Sequence, residues 1–158
     1  MSRLDRNIER VIAMRACLND LMARIASVEG PIVELGLGNG RSFHHLREHM
    51  PNREIFVFER QPTAHPNSTP DESHLIVGDL EDTLPGALGL LPGQAALLHS
   101  DIGTGDQERN AKIARWLSTQ IPGLVRSDGF VAYDQKLNHT KLEPLALTQG
   151  CATDSYII

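Results

Sequence analysis

A chain of 158 residues with 41% hydrophobic and 22% charged residues suits one globular domain with a single core, which excludes an intrinsically disordered protein. Its net charge of −5 and the lack of any dense Lys/Arg cluster argue against a nucleic-acid or anionic-membrane partner and for a small-molecule ligand. No apolar run approaches the roughly 18 residues of a membrane span, and Met1-Ser2-Arg3-Leu4-Asp5-Arg6 lacks the apolar core of a secretory leader, so a cytoplasmic location is expected.

Residues 4–27 read as a helix. Leu4, Ile8, Val11, Ile12, Leu18, Leu21, Met22 and Ile25 recur at helical spacing with charged residues between them, and Gly30-Pro31 ends the pattern. The preferred reading is a helix packed on a sheet; a lid over a ligand or part of a subunit interface is compatible with it. Within it, Cys17 reads as a small core hydrophobe. The other cysteine, Cys151, is far away and forms no C-x-x-C pair, so neither a disulfide framework nor a zinc site is expected, and both thiols are expected reduced. Residues 1–29 are thus an N-terminal helix and 30–158 the core of one domain.

The segment from Pro31 to Arg41 carries the most information: P-I-V-E-L-G-L-G-N-G-R. A short apolar run meets Glu34, then glycines at 36, 38 and 40, then the helical stretch 41–49. A strand, a glycine turn and a helix N-terminus bring backbone N–H groups and a positive helix end to a ligand, as in the first βα unit of a nucleotide-binding fold. The dinucleotide fingerprint G-x-G-x-x-G would need a small residue at 41, where Arg41 stands.

Three more apolar runs follow, each ending in a carboxylate. Residues 54–59 (E-I-F-V-F-E) form a buried strand ending in Glu59, about twenty residues after the turn, where this architecture places a ribose-hydroxyl acceptor. Gln61 to Ser73, rich in proline, serine and threonine, is a loop. Strand 74–78 ends in Gly78-Asp79, and Asp79 could also cap the helix 80–90, which its prolines and glycines make short or irregular. Strand 95–100 runs into Asp101, with His99 sharing its face. Gly103 and Gly105 mark a loop before helix 106–121, and strand 127–134 ends in Asp134. Ser155-Tyr156-Ile157-Ile158 reads as one more strand. Strands alternating with helices argue for βαβ units in an α/β fold, with ligands outside the carboxyl ends of a parallel sheet.

Glu34 followed by G-x-G-x-G, with carboxylates ending each of the next three strands, resembles class I S-adenosylmethionine-dependent methyltransferases, above all compact single-domain bacterial ones. The resemblance covers roughly residues 31–105. It implies a Rossmann-like three-layer sandwich whose mostly parallel sheet has six to seven strands, plus the additional N-terminal helix. It implies S-adenosyl-L-methionine as cofactor and S-adenosyl-L-homocysteine as product. The cofactor would be held by Glu34, Gly36, Gly38, Asn39, Gly40 and Ser42 at the turn and by Glu59 and Arg60 at the ribose. Gly78, Asp79 and Leu80 would meet the adenine, and Ser100 and Asp101 close the site. The acceptor would lie near Asp101 and Asp134, the candidate catalytic residues.

Asp101 with Asp134-Gln135 partly resembles the magnesium ligands of some O-methyltransferases. A solvated loop role for Asp134 is preferred over that reading, and no metal is assigned. The histidines 44, 45, 49, 65, 74 and 139 form no ligand pattern. A nicotinamide-dependent oxidoreductase and a non-catalytic S-adenosylmethionine-binding module are the rival functions. A compact chain also leaves room for a homodimer or higher homo-oligomer.

Overall fold

The computed structural model describes residues 2–146 and 150. Helix α1 spans Arg3–Arg24 and opens on a capping box, in which Ser2 accepts from the Asp5 N–H and Asp5 accepts from the Ser2 N–H. A 3-10 turn at Ile25–Ser27 leads into β1 (Ile32–Leu35). Then come α2 (Arg41–His49), β2 (Ile55–Glu59), a 3-10 turn at Pro66–Ser68 and β3 (Leu75–Val77). The second half runs α3 (Leu80–Thr83), a 3-10 stretch at Leu84–Gly89, β4 (Ala95–Ser100), α4 (Gln107–Leu124) and β5 (Val125–Tyr133).

The five strands are all parallel in the order β3-β2-β1-β4-β5. The chain builds outward from β1 to β3, then crosses back to lay β4 on the other side of β1. That reversal splays the connections apart at the carboxyl ends of β1 and β4 and opens a crevice there. One sheet face packs on α1 and α2 through Cys17, Leu21, Ile32, Val57 and Leu97. The other packs on the 3-10 stretch and α4 through Val33, Leu98, Leu117, Ile121 and Tyr133. β1 and β4 lie in the middle and are buried along their whole length, including the polar Glu34, His99 and Ser100 near their carboxyl ends.

Several expectations are corrected. The described residues contain five strands, not six or seven; the strand expected at 155–158 lies outside them. Helix α4 runs three residues past 121 and β5 begins at Val125 rather than 127. Pro122 sits in the last helical turn, where buried Ile121 and Leu124 hold the helix despite the lost N–H. Val125 pairs with Ala95 and the ladder resumes at Phe130 opposite Leu97, so 126–129 bulge outward. A Cβ on Gly129 would press on Val125 Cγ1 at 2.8 Å and on the carbonyls of Ala95 and Ala96 at 3.0 Å, so the Asp128-Gly129 pair that reads as a turn before the strand lies inside it. The apolar stripe of α1 is only partly used. Ala13 to Met22 supply its buried face, while Leu4, Ile8 and Ile12 are 67%, 48% and 48% exposed. Cys17 is fully buried as expected but is disulfide-bonded rather than the reduced thiol expected. No helix among the described residues is long and apolar enough to cross a membrane.

Candidate active site

Each strand delivers one acidic or glycine-rich terminus to the carboxyl edge, and sheet order sets their sequence along it. From β3 to β5 these are Asp79, Glu59, the Gly36–Gly40 turn, Asp101 and Asp134. In chain order they are scattered over a hundred residues; in the sheet they form one row.

The turn after β1 holds Gly36, Gly38 and Gly40 at φ +86°, +52° and +72°. Gly40 is the N-cap of α2, and a Cβ there would collide with the Ser68 carbonyl of the loop folded over it. Gly38 has nothing within 4 Å of its Cβ position, so the outer side of the turn faces open space. Asn39 beside it is exposed.

Glu59, the last residue of β2, turns its carboxylate onto this loop. Its Oε2 accepts the N–H of Leu37 at 2.7 Å and of Gly38 at 3.2 Å, and Oε1 accepts the N–H of Gln61 at 2.9 Å. Partial burial works against the charge, but the backbone donors of Gln61, Leu37, Gly38 and Arg60 outweigh it and hold the carboxyl below its ordinary value.

Glu34 lies beneath the turn and is wholly buried. Ser42, in the first turn of α2, donates to its Oε1, and His99 Nδ1 on neighbouring β4 stands 3.5 Å from the same oxygen. Oε2 has no hydrogen-bond partner among the described residues.

Asp79 occupies the N-cap position of α3 but makes no side-chain capping bond. It is well exposed, and Arg60 approaches it at 3.9 Å. Gly78 is set at φ +152° against Thr83, and Leu80 is half-buried behind them.

At the other end of the row, Arg10 of α1 reaches both oxygens of Asp101 through Nη1, at 2.8 and 2.6 Å. Asp134 Oδ2 accepts the Gly103 N–H at 2.7 Å, with Gln135 Nε2 at 3.5 Å. Its Oδ1 is buried with no partner among the described residues. Burial pushes the Asp134 carboxyl up, and the nearby Asp101 charge adds to the effect. Ser100 Oγ and Tyr133 Oη are also buried without partners among the described residues. They sit opposite each other in the β4–β5 ladder, on the face away from α1. Burial, then the Asp134 charge, raises the Tyr133 phenol.

Arg10 is the residue that sequence reasoning missed. It is one of four arginines in the first fifteen residues, and no local pattern distinguishes it. Asp134 is also less solvated than a plain loop residue. Among the described residues no group of three or more His, Cys, Asp or Glu is arranged to hold a metal ion.

A family model described as S-adenosyl-L-methionine methyltransferase matches residues 1–158. The crystal structure of an S-adenosyl-L-methionine methyl transferase from Silicibacter pomeroyi DSS-3 is similar at 41% identity, covering 99% of this chain and 96% of that one with a TM-score of 0.92. CalS11, a calicheamicin methyltransferase, is similar at 20% identity over 74% of this chain and 62% of its own, with a TM-score of 0.52. Its apo form, described as a TDP-rhamnose 3′-O-methyltransferase, gives 20% identity, 75% and 61% coverage and a TM-score of 0.54. At that identity the CalS11 structures share the fold alone. No curated protein sequence matches the chain. The full-length match displaces the nicotinamide oxidoreductase reading that Arg41 already opposed, and the chain belongs to the S-adenosyl-L-methionine methyltransferase family.

Proposed function

We propose that this methyltransferase acts on a small-molecule acceptor and that Asp134 takes the acceptor's proton. The cofactor lies along the row from β3 to β1, its adenine near Gly78, Asp79 and Leu80 and its ribose on Glu59 and Arg60. Its amino-acid end rests on the turn of Gly36, Gly38, Asn39 and Gly40, above Glu34 and Ser42. Ser100 and Asp101 close the site on the β4 side. Two observations support the fit: the open space outside Gly38, and a buried Glu34 oxygen that lacks a donor. A glycine turn leading to a helix N-terminus suits a ligand that must approach the backbone closely.

Bound S-adenosyl-L-methionine supplies an electrophilic methyl group on a sulfonium and leaves as S-adenosyl-L-homocysteine. The protein's share is to align the acceptor and shed its proton. The single observation that carries the assignment is Asp134 Oδ1, buried, partnerless and held on a carboxyl whose affinity for protons is raised. Such a group is poised to accept a hydroxyl or amine proton while a methyl–oxygen or methyl–nitrogen bond forms and the sulfur–methyl bond breaks. Asp101, paired with Arg10, contributes through its charge on Asp134.

The acidic net charge supports a small, non-nucleic-acid acceptor. We read the protein as cytoplasmic and bacterial, like its Silicibacter counterpart in source, with a homo-oligomer as its expected assembly. The test is release of S-adenosylhomocysteine across a panel of alcohols, phenols and amines. With the active acceptor, Asp134→Asn should lower kcat by about 10²- to 10⁴-fold while S-adenosylhomocysteine binding stays within about threefold. Unchanged turnover would remove Asp134 from the chemistry. Cofactor binding without turnover of any acceptor would favour the non-catalytic binding module.

A further inference from the structure

Glu34 and His99 are both wholly buried, on adjacent central strands and in direct register. His99 Nδ1 stands 3.5 Å from Glu34 Oε1, and Ser42 at the start of α2 donates to that same oxygen. The three residues therefore span β4, β1 and α2 directly under the glycine turn. Oε1 accepts the Ser42 hydroxyl, and the His99 ring stands against the same oxygen in close contact rather than in a hydrogen bond. The other, Oε2, is buried with no partner among the described residues.

A buried carboxylate with an idle oxygen is costly unless something completes it. The element above it is the turn assigned to the cofactor's amino-acid end, whose ammonium group is a cation with three donors. The Ser42 hydrogen bond fixes Oε1 and the His99 ring packs against that oxygen, so that Oε2 is the oxygen left over. A strand residue packed on the far side of the carboxylate is the device that would keep it from swinging away.

We infer that His99 is a positioning residue for the amino-acid end of the cofactor: it holds Glu34 so that Oε2 is presented to the ammonium group. The inference rests on the cofactor reading proposed above. It assigns no proton transfer to His99. A residue in that role affects ligands that carry the ammonium and leaves alone those that lack it. A residue that merely supports the fold affects both alike.

Calorimetry with S-adenosylhomocysteine and with 5′-methylthioadenosine separates these cases, since the second ligand keeps the nucleoside and lacks the amino acid. His99→Gln and His99→Phe should weaken S-adenosylhomocysteine about tenfold or more and change methylthioadenosine less than about twofold. His99→Asn, which keeps a polar side chain against Glu34 Oε1, should restore most of the difference. Glu34→Gln should show the same ligand selectivity. In the unsubstituted protein, the His99 ring ¹⁵N signals should move on adding S-adenosylhomocysteine and stay put with methylthioadenosine. That measurement needs no variant to fold. Equal effects on both ligands, or no ring response specific to the amino acid, would overturn the inference and leave the cofactor site standing. If the unsubstituted protein bound neither ligand, the cofactor reading itself would fail, and this inference with it.

Discussion

Glu59 shows how far one side chain ties sequence to site. Its type and distance from the glycine turn mark it as a ribose ligand in the sequence, and β2 delivers it to the carboxyl edge. In the structure it also accepts the N–H groups of Leu37 and Gly38, so the same carboxylate shapes the turn. Glu59→Ala should therefore act twice, removing the proposed diol acceptor and stranding the three backbone donors of Leu37, Gly38 and Gln61. Affinity for both S-adenosylmethionine and S-adenosylhomocysteine should fall by about 10- to 100-fold in calorimetry, each lost charge-assisted bond being worth roughly 1.5–3 kcal/mol at most. A loss confined to one of the two ligands would contradict the ribose role, because both carry the same ribose. The places of Glu59 and Asp101 at the carboxyl edge were legible because a carboxylate at the end of an apolar run is a local pattern. The Arg10–Asp101 contact was not, because it joins positions 91 apart and depends on where α1 lies.

At the scale of elements, the boundaries of β1, β2 and β4 could be read from their apolar runs, since a strand buried on both faces is mostly apolar and its few polar residues, such as Glu34, His99 and Ser100, fall towards its carboxyl end. The start of β5 could not, because a bulge interrupts the pattern with Asp128-Gly129 inside the strand. Nor did periodicity reveal that α1 has two halves. From Ala13 to Met22 the helix is bound to the sheet by buried apolar contact. Before that, Leu4, Ile8 and Ile12 face outward, and the Arg10–Asp101 ion pair ties this half to the sheet edge. Arg10 is about two-fifths exposed, so the pair should contribute little to global stability, about 0–1 kcal/mol. Its effect should be local. Arg10→Met should speed amide hydrogen exchange at residues 6–12 while residues 14–24 keep their protection. Uniform change along the whole helix would mean that α1 moves as one body and that the ion pair is not its tether.

Across the whole molecule, sheet order gathers five chain-distant carboxyl ends into one edge, and this concentrates negative charge where catalysis is proposed. That arrangement has a cost that depends on pH. Asp134 holds its proton more tightly in the folded protein than the ordinary value near 3.8, because of burial and the Asp101 charge. In the window between the unfolded and the folded pKa the native state binds more protons, so stability falls as pH rises through it. Below the window the acid is neutral in both states and carries no penalty; above it the penalty is complete. Glu59 has the opposite sign, since its folded pKa is depressed, and its contribution is lost only as pH falls through that lower value. Asp134→Asn removes the penalty without altering shape. It should raise the melting temperature by roughly 2–4 °C at pH 8 and by almost nothing at pH 3, where the aspartate is already protonated. The variant that abolishes proton acceptance should thus be the more stable protein at neutral pH. A melting temperature lowered at pH 8 would mean that the Gly103 N–H bond to Asp134 outweighs the buried charge, and that the carboxylate is there to brace the loop.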